Sequence, residues 1–160
     1  MIRPNAIVCG LVAALLLAAC AHTGAQTGAR EKTCPGNSCD VEVRVKTVGG
    51  VSTIEVNVDT LRVVRGNQDV TIVWKLKDSP DWRFKDTSIA PHTSAPKGDK
   101  QTTSANEWRS QIRFLNNSAV NYVVENANNR PAKLFYNITV FKKSDDSPLT
   151  LDPVLINDGL

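Results

Sequence analysis

The chain has 160 residues, 41% hydrophobic and 22% charged, which is enough for one domain with its own core. Its 19 Lys and Arg face 16 Asp and Glu, a formal net charge of +3. The two signs are interspersed rather than blocked, which argues against the clustered basic face of a nucleic-acid binder. With only two histidines and four cysteines, donors for a soft or borderline metal are scarce.

The first 29 residues carry one formal charge, Arg3, at their front. Behind it, Ala6 to Ala19 is apolar except for Cys9 and Gly10. A positive start, a short apolar run and small residues before a cleavage point make a secretory signal. The run falls short of the roughly 20 residues of a spanning helix. Leu17-Ala18-Ala19-Cys20 closes it, and these four residues resemble the lipobox of bacterial lipoproteins. The resemblance implies removal of residues 1–19 and a diacylglyceryl thioether on Cys20, whose amine is then acylated. Two or more acyl chains hold a protein stably on a bilayer. Ala21, rather than aspartate, follows the cysteine, which leans toward the outer membrane, facing the periplasm. The expected partner at this end is therefore membrane lipid. Residues 20–33, polar and without apolar periodicity, read as the lipidated cysteine and a flexible tether. His22 within it reads as solvated.

Cys9 leaves with the signal and Cys20 takes the lipid, so Cys34 and Cys39 remain, spaced by Pro-Gly-Asn-Ser. Outside the cytoplasm such a pair reads first as a disulfide, with Pro-Gly-Asn supplying the turn. A thioredoxin-type redox pair has two intervening residues where this one has four, and a zinc knuckle needs a second ligand pair.

From Asp40 the apolar period becomes two. Val41, Val43 and Val45 alternate with Glu42, Arg44 and Lys46; Gly49-Gly50 turns the chain; Ile54, Val56 and Val58 follow. This is a hairpin signature. Leu61 to Arg65 is a further short strand. The strongest is Val70 to Lys77, with Val70, Ile72, Trp74 and Leu76 on one face and Val73 on the other, so it is expected in the middle of a sheet. Residues 78–106 are polar, with Trp82-Arg83-Phe84 as a short strand inside them. Alternation returns with Trp108, Ser110, Ile112 and Phe114, then at Tyr122 to Val124 and at Leu134 to Lys142. Leu149 to Leu160 is apolar and expected at an edge. No helical stripe stands out beyond the signal.

The expected fold is all-β, an antiparallel β-sandwich of seven to eight strands spanning residues 34–160. Val43, Val45, Ile54, Val56, Ile72, Trp74, Ile112, Phe114, Ile138 and Val140 are expected inside. Arg65-Gly66-Asn67-Gln68-Asp69-Val70-Thr71-Ile72-Val73-Trp74 is similar to the early strand of cupredoxin-like domains, and immunoglobulin-like strands share the pattern. The mature chain also resembles small exported proteins of proteobacteria. In those, a two-cysteine loop opens an all-β domain and a tail like Asp152-Pro153-Val154-Leu155-Ile156-Asn157-Asp158 closes it. Neither resemblance implies an activity.

Blue copper needs two His, a thiolate and an axial ligand, whereas the domain has one histidine, His92, and a paired set of cysteines. No Gly-x-Ser-x-Gly elbow is present for a hydrolase, and the pairs Asp78/Asp81 and Asp145/Asp146 sit in turn-like segments, where Asp serves the backbone. An enzyme and a cofactor are therefore not expected. The reading is a lipid-anchored envelope protein whose domain is a non-catalytic binding or assembly module, engaging an envelope protein or a glycan. The alternative is a ligand or metal carrier of cupredoxin-like descent, with an atypical site near His92. Trp82, Arg83, Phe84, Lys85 and His92 form the candidate binding patch, because aromatic and basic residues together enrich interfaces. That patch requires Trp82 or Phe84 to be exposed; with both rings buried, the segment is structural.

Overall fold

A computed structural model describes residues 30–93 and 102–160. The signal, Cys20 and the first part of the tether lie outside them. Twelve strands and one short helix follow in order: β1 Glu31–Cys34, β2 Ser38–Val48, β3 Val51–Val56, β4 Thr60–Val63, β5 Val70–Leu76, β6 Trp82–Arg83, β7 Ile89–Pro91, α1 Ala105–Gln111, β8 Ile112–Asn117, β9 Asn121–Asn126, β10 Pro131–Lys142, β11 Pro148–Leu151 and β12 Val154–Asp158.

They form two sheets. Five strands run in the order β3-β2-β5-β9-β8; the other sheet runs β1-β4-β12-β10-β11, with β6 and β7 also paired to β10. The all-β sandwich holds, with its pairing mixed rather than purely antiparallel, since β1 with β4, β4 with β12, and β2 with β5 are parallel. The physical cause is that β1 and β2 each pair beyond their chain neighbour. β1 and β2 are linked by a tight turn yet lie in different sheets, each beside a strand that runs the same way.

β5 occupies the middle of its sheet, as its two-sided apolar pattern predicts. Its inner face meets the other sheet through Trp74, whose ring lies edge-on to Tyr136 of β10 at 5.7 Å. Val43, Val56, Ile72, Trp74, Ile112, Ile138 and Val140 are buried, and Val45 and Ile54 pack partly buried against them. Leu61, Leu134, Tyr136 and Leu155 complete the centre. Burying side chains of this size stabilises by roughly 1.5–3 kcal/mol each.

Four expectations are corrected. The domain begins before Cys34, because Glu31 to Thr33 pair with β4 instead of belonging to a tether. Residues 105–111 are helical rather than a strand. Ser104 caps that helix by accepting from the Glu107 amide at 3.1 Å, and its Ser-x-x-Glu spacing is a capping box. The helix turns Trp108 onto Tyr136, ring centroids 5.8 Å apart. It also shifts the register beyond, so that Phe114 is exposed on the edge strand β8, beside a bulge at Leu115. The tail is an edge only in its first half: β11 takes the margin as expected, whereas β12 lies between β4 and β10.

The sandwich has two unlike ends. At one, β5 begins, β9 ends and the C-terminal strand finishes beside Pro131, the start of β10. At the other, β5 and β10 end, joined by residues 78–84, with Leu76 donating to the Val120 carbonyl and Lys143 to that of Asp81. β1 runs from the side of the second end toward the first, so the chain enters from that second end.

Candidate functional site

The sulfurs of Cys34 and Cys39 lie at disulfide distance, with Cα atoms 5.5 Å apart and both side chains buried. The bridge ties β1 in one sheet to β2 in the other, across the Pro-Gly turn.

The residues of the expected patch are dispersed in role. Trp82 is 9% exposed and Phe84 3%, so neither ring is offered to a partner, and the aromatic half of the patch is corrected to core. Phe84 packs edge-on against Tyr122 at 6.3 Å, and Trp82 sits opposite Lys142 of β10. An indole or phenyl ring next to an open sandwich end gains more from covering that end than from solvent. Arg83 and Lys85 both reach Asp146, at 2.6 and 3.0 Å, and Lys85 stands 4.5 Å above the Phe141 ring. His92 is half-buried on an extended segment beside β10; its amide donates to the Phe135 carbonyl and its carbonyl accepts from the Thr103 amide. Among the described residues, no group of three His, Cys, Asp or Glu side chains gathers to hold a metal.

A shallow cleft of about 600 Å³ opens between residues 83–87 and the 117–119 turn. Behind it Tyr122 is buried, and its hydroxyl donates to the carbonyl of Asp86, one of the lining residues, at 2.8 Å. Burial, with the Asp86 charge adding to it, pushes that hydroxyl up to about 12, so it stays a donor. Arg83 and Lys85 hold the Asp146 carboxyl below its ordinary range. Their own charge is thereby answered, and Asp86 adds a further negative group at the rim. The cleft is open, and the charges around it, Arg83 and Lys85 against Asp86 and Asp146, balance.

Sequence reasoning missed the apolar residues that are exposed. Val48 and Val51 at the tip of the β2–β3 hairpin, Phe114 and Leu115 on β8, and Val120 in the β8–β9 turn all stand in solvent. The signal for the first pair was available: two valines immediately flank the Gly49-Gly50 turn, where hairpin tips are ordinarily polar. Phe114 was masked by its alternation with Arg113. Among the described residues, no helix is long and apolar enough to cross a membrane. No family model matches the chain, and no curated protein compared with it is similar.

Proposed function

We propose that the chain is an exported lipoprotein of the bacterial envelope, anchored through Cys20 and held at the outer membrane facing the periplasm. Its β-sandwich serves as a non-catalytic binding or assembly module for an envelope protein or glycan. The observation that carries the reading is Leu17-Ala18-Ala19-Cys20 at the exact close of the apolar run behind Arg3. The Cys34–Cys39 pair supports it, because buried disulfides persist in oxidising compartments. The binding role rests on the 83–87 cleft and on Val120, which is exposed next to the lining residue Ala119, since exposed apolar side chains beside a concave surface favour interaction.

The anchor is tested by mass spectrometry of protein extracted from membranes. A peptide beginning at Cys20 with an added diacylglyceryl and acyl mass is expected, and Cys20→Ser is expected to release the protein from the membrane fraction. An unmodified, freely soluble wild-type chain overturns the anchor. Crosslinking in intact envelopes through residues placed at Thr87 or Ser118 tests the module. A product that disappears when the cleft is blocked by Ala119→Trp supports it.

A further inference from the structure

The β2–β3 hairpin is longer than the sheet needs. β5 stops opposite Val43, at Leu76, yet β2 continues to Val48 and returns from Val51. The rung Val48–Val51 therefore stands five residues beyond the Val43–Val56 rung, about 17 Å along an extended strand, and three residues beyond the Val45–Ile54 rung, the last that packs on the core. The overhang is closed by Gly49 and Gly50, both at positive φ (58° and 83°), the requirement of a two-residue primed turn. Below the tip its polar groups answer one another: Thr47 bonds Ser52 at 2.8 Å, and Lys46 pairs with Glu55 at 2.7 Å. Above them only the valines remain, 78% and 67% exposed. The tip is thus apolar and uncharged, on a stalk whose Lys46 is paired with Glu55 and whose Arg44 is paired with Glu42 and Asp78 at the base.

The hairpin projects from the end at which the chain enters. Arg30 lies beside Asp59, and with Glu42, Arg44 and Asn57 it lines a small recess at the hairpin's base. Cys20 precedes Arg30 by ten residues, which span at most about 36 Å when fully extended. A bilayer holding Cys20 is therefore within reach of the tip, which covers about 17 Å of that distance itself.

We infer that the Val48-Gly49-Gly50-Val51 tip is a second membrane contact, seated in the headgroup–acyl boundary of the bilayer that holds the lipid anchor, and that it fixes the domain's orientation. The inference rests on the lipoprotein reading. Two valines bind a bilayer only feebly alone, but an anchor ten residues before the folded domain's Arg30 presents them at the effective concentration of a short tether. The tip supplies apolar area without charge, so it suits zwitterionic and anionic lipid alike.

The test uses the full lipidated chain in vesicles of phosphatidylethanolamine and phosphatidylglycerol, with bromine on the acyl chains. Val48→Trp introduces a reporter at the tip, Leu160→Trp one at the opposite end, and wild type supplies the background of the native tryptophans. The added emission of Val48→Trp is expected to be quenched roughly twofold more than that of Leu160→Trp, with a blue shift on vesicle addition, because interfacial burial is only 5–10 Å deep. Equal quenching at both positions, in protein that floats with the vesicles, overturns the contact and leaves the anchor standing. Protein that neither carries acyl mass nor floats overturns both.

Discussion

The two ends of this sandwich differ in how they treat polar and apolar groups. At the closed end, four amide side chains, Gln111, Asn126, Asn128 and Asn157, are at most 2% exposed and bonded to one another or to backbone. Asn126 donates to Asn157 at 2.7 Å, Asn157 returns a bond at 3.0 Å and reaches Gln111 at 3.2 Å. Asn128 donates to the carbonyls of Val64 and Asn67 and accepts from the Gly159 amide. At the open end Val48, Val51 and Val120 face water, and charged groups lie around a cleft beside the buried rings of Trp82 and Phe84. A satisfied buried network fixes one arrangement of strands and offers nothing to a ligand. The contrast separates the end that the amide network pins from the end that carries the cleft.

The largest test of that division is Asn157→Leu. It removes three bonds and leaves the Asn126 and Gln111 amides short of partners inside the core, which is expected to cost about 2–5 kcal/mol in urea unfolding. A loss no larger than that of a surface change would break the comparison. Two glycines sharpen it. At Gly159 (φ 77°) an added Cβ meets the Pro131 ring at 2.5 Å, so Gly159→Ala combines left-handed strain with a clash, about 2–5 kcal/mol together. At Gly50 (φ 83°) the same Cβ meets nothing within 4 Å, and Gly50→Ala is expected to cost only the strain, about 1–2 kcal/mol.

How much of this was legible follows the range of the interactions. Strands with strict alternation, such as Val41 to Val45 and Val70 to Leu76, were readable because a period of two needs only local residues. Parallel pairing of β1 with β4 was not, since register between distant strands leaves no local mark. The helix at Ala105–Gln111 was hidden by an alternation of Trp108 and Ser110 that also fits a strand, and its Ser104–Glu107 capping box was the signal that favoured a helix. The amide network was invisible for a different reason. Asn126, Asn128 and Asn157 stand near turns, where Asn is expected for its own backbone, and only the fold brings them together. For the candidate site, the sequence pointed to residues 82–85 but not to which side chains face inward, because an aromatic-plus-basic mixture suits a plugged end and an interface equally.

The bridge between the sheets is the next effect in size. Replacing both Cys34 and Cys39 by alanine opens a six-residue loop, and the loop-closure estimate is about 2 kcal/mol. Urea unfolding of the double variant measures it, and alkylation without reductant is expected to label neither cysteine in the wild type. Labelling of both at a rate set by exposure would break the expectation that the closed end is covalently pinned.

The smallest effect lies at the open end, at Asp146. Arg83 first, and then Lys85, hold its carboxyl below the ordinary value of 3.8, while slight burial works the other way. A carboxylate whose folded value is depressed adds stability that is fully present above the unfolded value and is lost as pH falls through the folded one. Its side chain is half exposed, so solvent and salt screen the pairs and the contribution is small. Asp146→Asn keeps a residue that tolerates the positive φ of 60° at this turn, and it removes the charge together with one of the two oxygens that accept from Arg83 and Lys85. The variant is therefore expected to be slightly less stable than wild type from pH 5 to 7, and the gap is expected to close as pH falls below 3.8 toward the folded value. Thermal melts of both proteins across that range, at low and high salt, measure it. A gap that persists unchanged to the lowest pH would mean that the loss does not come from the charge that Asp146 shares with Arg83 and Lys85.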